Sequence, residues 1–162
     1  TDRAHGPNPG RRRHDHAATA AHHVAEGARR AGKDPQEVEV ASLVSCAVSD
    51  NLDTARDSFR PVIASYAGRF PRYRRLMAES GFADEVDAVR RAWQSGNEEE
   101  ARRLVPTGLI DKIGVVGAPE QCRAKLEEYR AAGISLPIVS PRVSGPGANE
   151  SAMDVIRACA PR

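Results

Sequence analysis

Aromatic residues are scarce in this chain: Phe, Trp and Tyr make up 4% of its 162 residues, with a single Trp. Any core must therefore be built mainly from Ala, Val, Leu and Ile, and no aromatic platform for stacking RNA bases stands out. Charge of one sign is lacking too. The 24 Lys and Arg nearly balance 22 Asp and Glu, and the net charge of +2 is too small to suggest nucleic acid. No apolar run approaches the ~18 residues of a membrane helix. The opening TDRAHGPNPGRRR has charge but lacks the apolar stretch of a signal peptide. Cysteines number three (Cys46, Cys122, Cys159), without metal or disulfide spacing, and the odd count suits a reducing compartment. These absences lead to three expectations: no nucleic acid, no membrane and a cytoplasmic location. What is present, 40% hydrophobic and 28% charged, is the composition of one globular domain of ordinary size.

Residues 1–16 (TDRAHGPNPGRRRHDH) carry Gly, Pro, Asn and three consecutive arginines with no apolar periodicity, and are expected to form a disordered arm. From Ala17 a helical pattern begins, with Ala20, Ala21, Val24, Ala28 and Ala31 on one face. Gly32 and Asp34-Pro35 end it. VEVASLVSCAVSD (38–50) is the best strand. Both of its faces avoid charge after Glu39, as in a parallel strand covered on both sides. Asp50 is placed to cap the next helix, where Leu52, Ala55, Phe59, Ile63 and Tyr66 form one stripe that Pro61 should kink or split. Further helices are predicted at about 71–79, 83–95 and 97–105.

The most informative stretch is 113–141, IGVVGAPEQCRAKLEEYRAAGISLPIVSP. Pro119 fits a first helical position, where its missing N–H costs nothing. Cys122, Leu126 and Tyr129 make a buried stripe, Gly133 closes the helix, and LPIVS (136–140) is a returning strand. A short apolar run, a helix and a second apolar run imply an α/β fold with parallel pairing. Residues 143–162 read as a tail with one short helix from about Asn149.

Three blocks carry a family resemblance: the Val-rich strand ending in Val48-Ser49-Asp50, Arg60-Pro61-Val62-Ile63 with Tyr66-Ala67-Gly68, and Val116-Gly117-Ala118-Pro119-Glu120-Gln121 leading to Ala131-Ala132-Gly133. In this order they resemble the C-terminal half of luciferase-like monooxygenases, most of all the branch that depends on the deazaflavin coenzyme F420. The similarity covers roughly residues 17–142. It implies the C-terminal portion of a (β/α)8 TIM barrel, helix-rich, whose intact form typically needs about 250 residues. The implied chemistry is hydride transfer between deazaflavin and an organic substrate. FMN-dependent monooxygenation within the same superfamily is one alternative, and a non-catalytic remnant or interaction module is another. Two departures stand out. The family commonly has Thr or Ser where Ala118 stands, and residues 1–16 do not resemble it. The chain by itself is expected to be inactive, to bind neither cofactor, and to form homo-oligomers or associate through exposed strand edges.

The resemblance also orders the candidate sites. Strand C-termini form the active face of such a barrel, which marks Ser49, Ser140 and Arg142 as cofactor-facing. The competing roles are a helix cap at Asp50 and a loop start at Ser140. Gly117 precedes a helix start and so offers a seat for phosphate. Arg69, Arg72 and Arg74 surround Phe70 and Tyr73, either as a clamp for an anionic tail or as a solvated helix face. His5, His14, His16, His22 and His23 all lie in the first 23 residues; no metal site is expected there. No catalytic residue is identifiable from spacing, and Cys122 is assigned to packing.

Overall fold

The computed structural model describes residues 11–143 and 147–161, with side chains from residue 17 onward. Helix α1 (Arg11–Arg30) begins inside the stretch expected to be a disordered arm. No Pro or Gly interrupts the chain between Gly10 and Gly27, and arginine is a good helix former, so residues 11–16 join the helix. The rest of that stretch, 1–10, lies outside the described residues. Gly32, at φ 69°, ends α1: its N–H donates to Arg29 O and the Lys33 N–H to Ala28 O at 2.9 Å.

Strand β1 (Ala41–Val48) follows, then α2 (Leu52–Asp57) and α3 (Arg60–Arg69). The cap of α2 is Asn51, one residue beyond the expected Asp50; its Oδ1 accepts from the N–H groups of Asp53 and Thr54 at 3.0 and 3.2 Å. Pro61 splits the predicted single helix, standing in the first turn of α3. Next come α4 (Pro71–Met77), a π turn over Ala78–Phe82, α5 (Ala83–Gln94) and α6 (Glu98–Arg103). Helix α7 (Thr107–Ile113) was hidden in the sequence because it is short and its Gly108 weakens the pattern. Strand β2 (Val115–Gly117), helix α8 (Pro119–Ala131), strand β3 (Leu136–Pro141) and helix α9 (Ala148–Cys159) complete the chain.

Among the described residues the strands form one open parallel sheet in the order β2-β1-β3. β1 pairs with β3 from Ala41↔Leu136 to Cys46↔Pro141, but with β2 only from Cys46↔Val115 to Val48↔Gly117. The first part of β1, Ala41–Ser45, therefore has no strand on the β2 side. The crossover β2–α8–β3 spans β1 and is closed by Gly133 at φ 98°, with the Ile134 N–H donating to Tyr129 O.

Two apolar cores flank this sheet. On one side Val44, Cys46 and Val115 pack against Cys122 and Leu126 of α8 and Val155 and Cys159 of α9. On the other, Ala47 and Val116 meet Phe59, Ile63, Val86, Val89, Leu109 and Ile110 from the α2–α7 helices. Full coverage of β1 on both faces, as the sequence suggested, holds only at its C-terminal end. Leu43 is 74% exposed, and Leu136 and Ile138 of β3 are more than 40% exposed. The helices of the second core reach only the C-terminal end of the sheet, so among the described residues the face carrying these three side chains is left without a covering layer.

Candidate functional site

Arg142 follows β3 directly and is fixed at three points. Its N–H donates to Cys46 O at 2.7 Å, its Nε to Ser45 Oγ at 3.0 Å and its Nη2 to Ser140 Oγ at 3.2 Å. Ser45 and Ser140 are register partners on neighbouring strands, so the pairing itself builds the seat for the guanidinium. Ser45 was not foreseen. Its only sequence signal is a hydroxyl among the apolar residues of β1.

Two clefts meet at Arg142. The larger, about 660 Å³, lies beyond the strand ends; its polar lining includes Ser49, Thr54, Asp57, Arg142, Ser151 and Asp154. The smaller, about 280 Å³, is walled by Tyr66, Tyr73, Leu76, Met77 and Ile113, with Ser45 and Arg142 at its polar end. Tyr66 stacks near Tyr73 (ring centroids 4.7 Å apart) and edge-on to Phe70 (5.5 Å), so this wall is a small aromatic knot in a chain otherwise poor in aromatics.

The structure thus brings Ser49 and Arg142 to one cleft and makes Ser140 the residue that orients Arg142. Ser49 also organises the turn into α2: its Oγ accepts from the Asn51 N–H at 3.1 Å and its N–H donates to Gly117 O at 3.0 Å. Gly117 is buried and does not line either cleft. Its φ of 139° favours glycine, and a Cβ there would stand 2.5 Å from Gln121 Oε1. That same oxygen accepts from the Ala118 N–H at 2.9 Å, so one of the amides at the start of α8 is already engaged.

The three arginines do not converge. Arg69 lies over the Trp93 ring at 5.1 Å, Arg74 donates to Ala67 O at 2.9 Å, and Arg72 is exposed. None of them lines either cleft. His22 and His23 are exposed on α1, and among the described residues no group of three or more His, Cys, Asp or Glu is arranged to hold a metal. His5, His14 and His16 lie outside the residues whose side chains are described.

The cysteines, distant in sequence, meet in the core beside α9. Cys122 Sγ donates to Gly117 O at 3.4 Å and Cys46 Sγ to Val44 O at 3.4 Å. The proximity of the other two thiols and of the Arg123 cation lowers the pKa of Cys159. The proximity of Cys159, together with burial, pushes Cys46 and Cys122 up. One thiol is thus favoured as thiolate while its two neighbours stay protonated.

The parallel sheet, its strand-end cleft and its helical crossover define an α/β fold, and the sequence places it in a family. Residues 2–136 match the luciferase-like monooxygenase family, and the chain belongs to it. The match starts well before residue 17, so residues 2–16, expected to fall outside the resemblance, lie within it. A Mycobacterium tuberculosis protein named as a coenzyme F420-dependent oxidoreductase is 27% identical over 123 residues, 70% of this chain and 33% of that protein. The 5,10-methylenetetrahydromethanopterin reductase of Methanolobus tindarius is 26% identical over 119 residues, 69% of this chain and 34% of that one. The chain thus spans about a third of the length of these relatives.

Among solved structures, the coenzyme F420-dependent tetrahydromethanopterin reductase from Methanopyrus kandleri superposes with a TM-score of 0.71 at 23% identity, over 94% of this chain and 43% of that one. That likeness shows the fold, part of a TIM barrel. An F420-dependent secondary alcohol dehydrogenase solved with an F420-acetone adduct gives a TM-score of 0.51 at 25% identity, over 84% of this chain and 37% of that one. Among the described residues no helix is long and apolar enough to cross a membrane.

Proposed function

We propose that this chain supplies one wall of a coenzyme F420 site in a luciferase-like oxidoreductase, and that the observation carrying this is Arg142, pinned by Ser45 and Ser140 at the junction of two strand-end clefts. The donor set fits such a group. A guanidinium held in place by two hydroxyls keeps donors to spare for a phosphate or carboxylate, which the acidic tail of a deazaflavin presents. The knot of Tyr66, Phe70 and Tyr73 is an apolar surface suited to an aromatic ring system.

When bound, the deazaflavin supplies the hydride chemistry. The chain's own residues bind, orient and exclude water. Arg142 holds the anionic group, Ser45 and Ser140 fix the angle of its guanidinium, and Tyr66, Tyr73 and Leu76 keep water from one side of the smaller cleft. The described residues present this wall and leave the sheet face of Leu43 and Ile138 open, so the substrate pocket requires further strands opposite it.

A fluorescence titration with coenzyme F420 and with FMN tests this reading, using the chain alone and mixed with the N-terminal region of a relative. The chain alone should show no specific affinity. The mixture should bind coenzyme F420 in preference to FMN, and Arg142→Ala should weaken that binding about tenfold, the value of a charge-assisted hydrogen bond. Preference for FMN would overturn the choice of cofactor, and undiminished binding by Arg142→Ala would remove the arginine from the site.

A further inference from the structure

All three cysteines of the chain converge, from β1, α8 and the last turn of α9. Cys46 and Cys122 are fully buried, while Cys159 retains 6% exposure and packs in the same buried cluster. Cys159 is therefore the thiol a small reagent reaches first. It is also the one favoured as thiolate, by the neighbouring thiols and the Arg123 cation. Arg123 belongs to the same corner: its Nη1 donates to Ala158 O at 2.6 Å, holding the end of α9 against α8. Helix α9 in turn forms part of the wall of the larger cleft, through Ser151, Asp154, Val155 and Ala158.

We propose that Cys46, Cys122 and Cys159 form a thiol–disulfide centre in which a two-electron oxidant of the peroxide class joins Cys159 to Cys122 or Cys46 and so locks α9, a wall of the larger cleft, to the sheet side of the molecule. In the first step the Cys159 sulfur attacks the O–O bond of the peroxide. An S–O bond forms, the O–O bond breaks, and the departing hydroxide takes a proton and leaves as water. In the second step the sulfur of Cys122 or Cys46 attacks the sulfenic sulfur of Cys159. An S–S bond forms, the S–O bond breaks, and a second water leaves with the thiol proton. Two thiols lose two electrons and two protons, and the peroxide receives both. The third thiol stays reduced beside the new disulfide and can exchange with it, so the link can shift between β1 and α8 without another oxidant.

The experiment treats the folded chain with hydrogen peroxide at neutral pH and maps the linked peptides by mass spectrometry, with the same chain in concentrated urea as reference. The expected product has no covalent link between chains, is lighter by two hydrogens per chain, and is linked through Cys159 in every disulfide found. It should form roughly tenfold faster than in the unfolded chain, because the fold supplies both the thiolate and its partner. Cys159→Ala should remove the fast phase, and Cys159→Ser, closer in size, repeats the test if the alanine variant fails to fold. Pulse alkylation of the untreated wild type gives a reading free of substitutions: Cys159 should be labelled before Cys46 and Cys122. A Cys46–Cys122 link, only intermolecular products, oxidation no faster than in urea, or labelling of another cysteine first would each overturn the proposal.

Discussion

At Ala118, the residue before α8, the side chain has no oxygen to offer the first turn. The helix begins with Pro119, and Gln121 reaches back to the Ala118 N–H, but the reciprocal bond is missing because a methyl group cannot accept it. Ala118→Ser should complete the capping box and stabilise the fold by about 1 kcal/mol, read as a higher midpoint in urea with unchanged slope. The same residue scale shows what could be read in advance. Ser140 and Arg142 stood out as candidates because they end a strand, and strand ends are where such sheets present ligands. Ser45 was not, since its value lies in facing Ser140 across a register that only the pairing of β1 with β3 defines. The arginines near Phe70 looked like a clamp because they are close in sequence. In space they serve a tryptophan ring, a backbone carbonyl and solvent.

Between elements, the tightest glycine contact among the described residues lies where α3 meets α5. Gly68 faces Trp93 so closely that a Cβ there would stand 2.2 Å from the indole ring. Gly68→Ala should force Trp93 out of its place under Arg69 and destabilise the protein by about 1–3 kcal/mol, visible as a lower Tm and a shift in Trp fluorescence. An unchanged Tm would mean that the two helices separate without cost. Most elements were legible because their signals are local: the apolar run of β1, the Pro and Gly that bracket α8, the stripe broken at Pro61. The cysteine cluster was not legible, because β1, α8 and α9 bring together side chains that share no spacing in the chain. The helical stretch 11–16 was missed for the opposite reason. Its composition resembles that of a disordered arm, and it becomes helical as an extension of the helical pattern that begins at Ala17.

For the molecule as a whole, the open sheet governs behaviour. Leu43, Leu136 and Ile138 share an uncovered face, and β1 has an unpaired edge over Ala41–Ser45. Apolar area of this kind next to an unpaired strand edge favours association with a second copy. Sedimentation should show a dimer or larger species that dissociates when Leu43 and Ile138 are both changed to Lys. A wild-type monomer at high concentration would instead mark this sheet as self-sufficient. The order of the strands has a further consequence, in time rather than in space. The hydrogen bond between the Val40 N–H and Ser135 Oγ, where the β1–β3 pairing opens, joins positions 95 residues apart, and the whole of α2–α8 lies between them. Closing so long a loop costs entropy that no local contact repays, whereas the helices in between gain theirs from near neighbours. The chain therefore acquires its helices quickly and its sheet late, and during synthesis β1 emerges as an apolar strand that must wait for α2–α7 before β2 exists, and for α8 as well before β3 does.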